Sequence, residues 1–282
     1  MLLAARLALR PPPLSLFLPD RIGRPGLWVW CRPRCDGVML YFHGGAYVLG
    51  SPRTHRALVA ALCLRSGCRA FMPRYRLAPE NPFPAAFEDA LAAWNGLIGR
   101  GYPARRILIG GDSAGGGLAL ALLGHLCRAG TPPAGAFAFS PWTDLTLSGA
   151  SLAGNAGSDR MLPASRLAEA RGMILGADDG LGPAPPPPPA ETPAATRDAR
   201  LSPLFAAFPG SPPVMIHAAD TEILRDDALR MAGPLPNARI RLGGDLPHAW
   251  PLFHGWLPEA RATLDETAAF IRDCLGPAPA GS

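Results

Sequence analysis

Along the chain, short apolar runs alternate with longer stretches whose apolar residues recur every three or four positions. The short runs predict strands at 27–31 ("LWVWC"), 37–43 ("GVMLYFH"), 68–75 ("CRAFMPRY"), 106–111 ("RILIGG"), 135–140 ("GAFAFS"), 213–219 ("PVMIHAA") and 238–244 ("ARIRLGG"). The longer stretches predict helices over 54–67, 85–101, 115–129, 226–232 and 258–275. Apolar runs with little alternation, separated by helix-length segments, imply an α/β fold with a mostly parallel sheet covered on both faces.

Two regions depart from this rhythm. Residues 144–199 carry a polar-to-helical stretch, "SDRMLPASRLAEARGMIL", followed by the proline run 185–189, which cannot supply ladder donors. This region is expected to be an inserted cap with a loose proline-rich segment rather than a second domain, so residues 1–282 form one domain. The start, about 1–25, offers apolar residues broken by Arg6, Arg10 and three prolines, with no cleavage-site pattern after it.

Composition narrows the class. The chain has 282 residues, 48% hydrophobic and 17% charged, enough for one full core. All of its basic residues are arginines, and the net charge of +5 is spread without a basic stripe interleaved with aromatics, which argues against nucleic-acid binding. No run approaches the apolar length of a membrane span, and the six cysteines sit at irregular spacings without a C-x-x-C pair. Free thiols and a cytoplasmic location are the expectations.

The candidate chemistry starts at "ILIGGDSAGGGLALALL". Gly111-Asp112-Ser113-Ala114-Gly115 fits G-x-S-x-G between a predicted strand and a predicted helix, the context in which a serine is lifted clear of the sheet as a nucleophile. Taken alone, the same residues could be a small side chain in a glycine turn or a phosphate-binding loop. A second element is the strand-end loop His43-Gly44-Gly45-Ala46-Tyr47, whose glycines let backbone N–H groups approach an oxyanion. His43 reads as a structural member of that loop.

With these motifs in hand, the chain resembles the hormone-sensitive-lipase-like bacterial esterases of the α/β-hydrolase fold. The resemblance runs from about 37 to 275 through "HGGAY", "YRLAPENPFPAAFEDA", "GDSAGG", "SPWTDL" and "LPHAW". Ala46 replaces the third glycine of the family's usual loop. The resemblance implies a carboxylesterase with Ser113 as nucleophile, His248 as base, and Gly44, Gly45 and Ala114 as oxyanion donors. His254 is the second candidate for the base, while His55, His125 and His217 look structural. For the acid, "EILRD" sets Glu222 in the family's acid position, with Asp220 as second choice and Asp226 as a loop-positioning or capping residue.

Tyr47, Trp142 and the 144–180 region are expected to contact substrate, with core packing as the alternative for the two aromatics. The N-terminal part of the cap, about 1–25, looks reduced, which implies an open pocket suited to short acyl chains or small aromatic esters. No metal or cofactor is expected. A homodimer is compatible with the resemblance. The alternatives are an arylformamidase-like amidase, which uses the same groups, and a non-catalytic small-molecule binder of the same fold.

Overall fold

A computed structural model describes residues 10–31, 35–176 and 194–276. The proline run 185–189, expected to be a loose segment, lies outside them. The core is one eight-stranded sheet. In chain order its strands are β1 (Leu16–Ile22), β2 (Arg24–Trp30), β3 (Val38–Phe42), β4 (Arg69–Pro73), β5 (Ile107–Asp112), β6 (Gly135–Phe139), β7 (Val214–Ala218) and β8 (Arg239–Leu242). Their spatial order is β1-β2-β4-β3-β5-β6-β7-β8, antiparallel between β1, β2 and β4 and parallel from there on.

The helices are α1 (Pro52–Ser66), α2 (Ala85–Gly99), α3 (Ser113–Arg128), the short α4 (Ser151–Gly154), α5 (Ala164–Leu175), α6 (Arg225–Arg230) and α7 (Pro258–Leu275). Strand residues divide by parity between two cores. Val38, Leu40 and Phe42 join Ile107, Ile109 and Ile216 beneath α2 and α3, whereas Met39, Tyr41, Leu108 and Met215 face α1 and α7. Burial on both faces is why β3, β5, β6 and β7 read as unbroken apolar runs.

The N-terminal expectation needs correction. Residues 16–22 of the segment read as a reduced cap form β1, paired with β2 from Leu16↔Trp30 to Ile22↔Arg24. As the edge strand it buries only Ile22 and tolerates Pro19, so its sequence lacks the apolar signature of the inner strands.

The parallel strands all end at one edge, and the loops that follow them gather there. At the centre, β5 passes into α3 with no connecting residue. Such a step brings backbones into contact: a Cβ on Gly115 would lie 2.2 Å from the Phe42 carbonyl oxygen, and one on Gly111 would lie 2.4 Å from that of Gly115. Gly115→Ala is therefore expected to lower the denaturant-unfolding stability by about 1–3 kcal/mol. Gly99→Ala, at the end of α2 where a Cβ meets nothing within 4 Å, is the control and is expected to be neutral or slightly stabilising.

Candidate active site

Ser113 is the first residue of α3 and has φ 53°, a left-handed conformation uncommon for a residue with a side chain. The strain is imposed by the abrupt turn from β5, and it leaves the serine at the helix N-terminus, where unpaired N–H groups favour negative charge. The Ser113 carbonyl is tied down by the Trp142 N–H at 3.0 Å.

Two further loops converge on the same edge. Glu222 lies after β7 and is 1% exposed. Its Oε1 accepts the Ala219 N–H at 3.1 Å and its Oε2 lies 2.8 Å from Nδ1 of His248. A carboxylate at Nδ1 fixes the proton there and leaves Nε2 as the free lone pair. That Nε2 is buried and, among the described residues, has no hydrogen-bond partner. His248 itself is held by its neighbour, since the Ala249 N–H donates to Oγ of Ser140 at 3.0 Å. Asp220, the other candidate acid, instead accepts the Gly244 N–H at 3.0 Å. His254 also has its Nε2 buried without a partner among the described residues, but of these two histidines it is His248 that lines a cavity with Ser113.

That cavity has a volume of about 350 Å³. Its wall includes Gly44, Gly45 and Ala46 of the loop after β3. The loop is bent by positive φ at Gly45 and Ala46, and the Gly45 carbonyl accepts the N–H groups of Val48 and Leu49. His43 is stacked on Tyr75 with ring centroids 4.3 Å apart and bonds the Gly44 carbonyl through Nδ1 at 2.8 Å. Burial pushes its pKa down to about 4, so it is neutral and structural.

Comparison with known proteins identifies the family. A family profile described as the α/β-hydrolase fold matches residues 39–243. An acetyl-hydrolase of Streptomyces hygroscopicus is 38% identical over 258 residues, covering 88% of this chain and 80% of its own. An esterase of Acinetobacter venetianus is 33% identical, covering 83% and 74%. The crystal structure of an esterase from the bacterial hormone-sensitive lipase family superposes with a TM-score of 0.85 at 34% identity, over 95% of this chain and 87% of that one.

The chain belongs to the hormone-sensitive-lipase-like α/β-hydrolases. It is a carboxylic ester hydrolase.

Two sequence expectations for this esterase change. Gly44 was expected to offer its N–H to an oxyanion, but that N–H donates to Oδ1 of Asp112 at 3.1 Å. Among the described residues, no acceptor is found for the N–H groups of Gly45 and Ala46, the next two along the loop. Ala46 was not singled out from sequence as a donor, because nothing in sequence says which N–H the Asp112 carboxylate claims. Tyr47 was expected in the pocket, yet it is 3% exposed and packs with ring centroids 6.5 Å from Tyr75 and 6.4 Å from Trp142. It lines a separate small cavity with Leu118 and Ile174 rather than the one at Ser113. Trp142 does line the Ser113 cavity.

The loop that carries Glu222 is fastened from outside by the segment 144–176. Asn155 donates through Nδ2 to the carbonyls of Asp220 and Glu222 at 2.9 and 2.8 Å, and Asp159 accepts the Ile223 N–H at 2.9 Å. Asp226 accepts the Ser151 N–H at 2.9 Å, in keeping with the positioning role expected of it. Deeper, Asp227 accepts the N–H groups of Thr143 and Asp144 at 2.7 and 2.8 Å, and Asp144 meets Arg230 at 2.7 Å.

Burial raises the Asp227 carboxyl to about 8, helped by the neighbouring Asp144, against the pull of those two N–H groups and Arg230. An acid whose folded pKa is raised stabilises below its unfolded value and loses that contribution as pH climbs through the folded one. Asp227→Asn, which keeps the acceptor and cannot ionise, is expected to melt close to wild type near pH 4 and progressively higher than wild type as the pH rises to 8. Asp227→Ala strands two buried N–H groups and is expected to cost about 2–4 kcal/mol in denaturant unfolding.

Proposed function

We propose that Ser113, His248 and Glu222 form the catalytic triad of this esterase and that it acts on small uncharged esters through an acyl-enzyme. The observation that carries the assignment is the 2.8 Å Glu222–His248 bond, with Nε2 of the same ring unpartnered among the described residues beside a cavity shared with Ser113.

The chemistry follows from the free lone pair. Nε2 takes the Ser113 hydroxyl proton as Oγ adds to the ester carbonyl, and Glu222 stabilises the imidazolium without being protonated. Negative charge moves to the carbonyl oxygen, where the N–H groups of Gly45, Ala46 and Ala114 serve as donors. Collapse expels the alcohol, which takes the proton back from Nε2. Water then repeats the cycle on the acyl-serine, releasing the acid and restoring Ser113.

The walls argue for the substrate class. Met161, Leu162 and Leu167 of the segment 144–176, with Leu49, Trp142 and Leu252, present apolar surface to the site. A volume of about 350 Å³ suits a short acyl chain or one aromatic ring better than a long lipid chain.

Hydrolysis of p-nitrophenyl esters from acetate to palmitate is the test. Activity is expected to be highest at short chains and to be lost, by about 10³-fold or more, in Ser113→Ala. Glu222→Ala is expected to lose about 10²–10⁴-fold in kcat, and Asp220→Ala to stay within several-fold of wild type. Equal losses at Glu222 and Asp220, or unchanged turnover by Ser113→Ala, would overturn the triad.

A further inference from the structure

Beside Ser113 lies a second buried histidine–carboxylate pair that the triad does not use. Asp112, 2% exposed, accepts the Tyr41 hydroxyl at 2.7 Å and the Gly44 N–H at 3.1 Å on Oδ1, and meets Nε2 of His55 at 3.1 Å on Oδ2. His55 comes from α1 and, like Asp112, lines the Ser113 cavity.

Proton accounting around the other ring nitrogen is restrictive. The Thr54 hydroxyl donates its one proton to the Ser51 carbonyl at 2.7 Å and receives the Ser51 N–H at 3.1 Å. At 2.8 Å from the same oxygen, Nδ1 of His55 therefore has only an acceptor to meet and must itself carry a proton. Nε2 faces a carboxylate oxygen and must carry the other.

We propose that His55 is a positioning residue held as an imidazolium, which fixes Asp112 in place to clamp Gly44 of the oxyanion loop and cancels the carboxylate's charge beside the reacting carbonyl. The catalytic half of this proposal rests on the triad assigned above. Without the imidazolium, a bare carboxylate adjoining Ser113 would oppose the negative charge that develops on the substrate oxygen.

The surroundings agree. Burial disfavours a charged His55, but the Asp112 charge and hydrogen bond outweigh it and raise its pKa above the usual histidine value. Burial likewise acts against a charged Asp112, and His55 and the Tyr41 hydroxyl bring it below the usual carboxylate value. The other titratable groups facing the pair supply no competing charge. His43, with its ring 5.6 Å away, is held neutral by burial at about 4, and burial raises Tyr41 and Tyr75 well above the usual phenol value. His254, which reaches Ala57 of α1, is lowered by burial and by Arg65 and Arg261. A raised histidine contributes its full stabilisation below about pH 6.5 and loses it as pH rises through the folded value.

The test starts with the full chain carrying ¹⁵N-labelled histidine, whose His55 signals are assigned by their loss in His55→Gln. Long-range ¹H–¹⁵N spectra at pH 7.5 are expected to show both His55 ring nitrogens protonated. A neutral tautomer there, including one beside a protonated Asp112, would overturn the proposal whatever the enzyme's activity.

Kinetics then address the catalytic half. His55→Gln is expected to lower kcat about tenfold or more with KM within about twofold, and His55→Gln combined with Asp112→Asn to recover most of it by restoring neutrality. Wild-type kcat in His55→Gln, or a double variant no better than the single one, would overturn the catalytic half. If either variant fails to fold, the wild-type spectrum decides.

Discussion

Everything at the site depends on the direct step from β5 into α3. With no residue between Asp112 and Ser113, the helix begins against the ends of the neighbouring strands, and the Phe42 carbonyl sits where a side chain on Gly115 would be. At this turn Ser113 takes a left-handed backbone, φ 53°, and the loop after β3 lies alongside it. The same step sends the Asp112 side chain to Tyr41, Gly44 and His55, so one residue joins the strand, the oxyanion loop and α1. Strain at the serine is sustained because the sheet around it is buried on both faces.

The second half of the site is assembled on a different principle. Glu222 and His248 stand on loops after β7 and β8, and β8 is a short edge strand with little burial of its own. Their geometry is secured by neighbours: Ser140 at Ala249, Asn155 at the Asp220 and Glu222 carbonyls, and the buried Asp227 beneath. The segment that walls the Ser113 cavity thereby also holds Glu222 in register with His248. The cavity wall and the Glu222 loop are joined through Asp159, which accepts the N–H groups of the wall residues Met161 and Leu162 at 2.9 Å as well as that of Ile223.

How legible this was from sequence varied with the physics involved. Inner strands were plain because burial on both faces makes them continuously apolar, and α7 matched its expected span, Pro258–Leu275. The edge strand β1 was hidden by Pro19 and by having one buried residue. Ser113, His248 and the ordering of Glu222 over Asp220 followed from motif position, and the bonds to Nδ1 of His248 and to Gly244 agree with that order. Gly44 misled because glycine content reports which backbone can approach an anion, not which N–H is already occupied. Tyr47 misled because an aromatic next to a functional loop reads the same whether it faces the cavity or the core. The roles of Asp227 and Asn155 depend on contacts across 84 and 65 positions of chain, which no local pattern encodes.

The most direct measurement is to treat the protein with a p-nitrophenyl alkylphosphonate and map the covalent adduct by peptide mass spectrometry. Attack by an activated serine displaces p-nitrophenolate and leaves the phosphonyl group on the nucleophile. The triad assigned here predicts one adduct per chain, on Ser113, forming at least a hundredfold more slowly in His248→Ala. Modification at another residue, or labelling of Ser113 at an unchanged rate without His248, would contradict it.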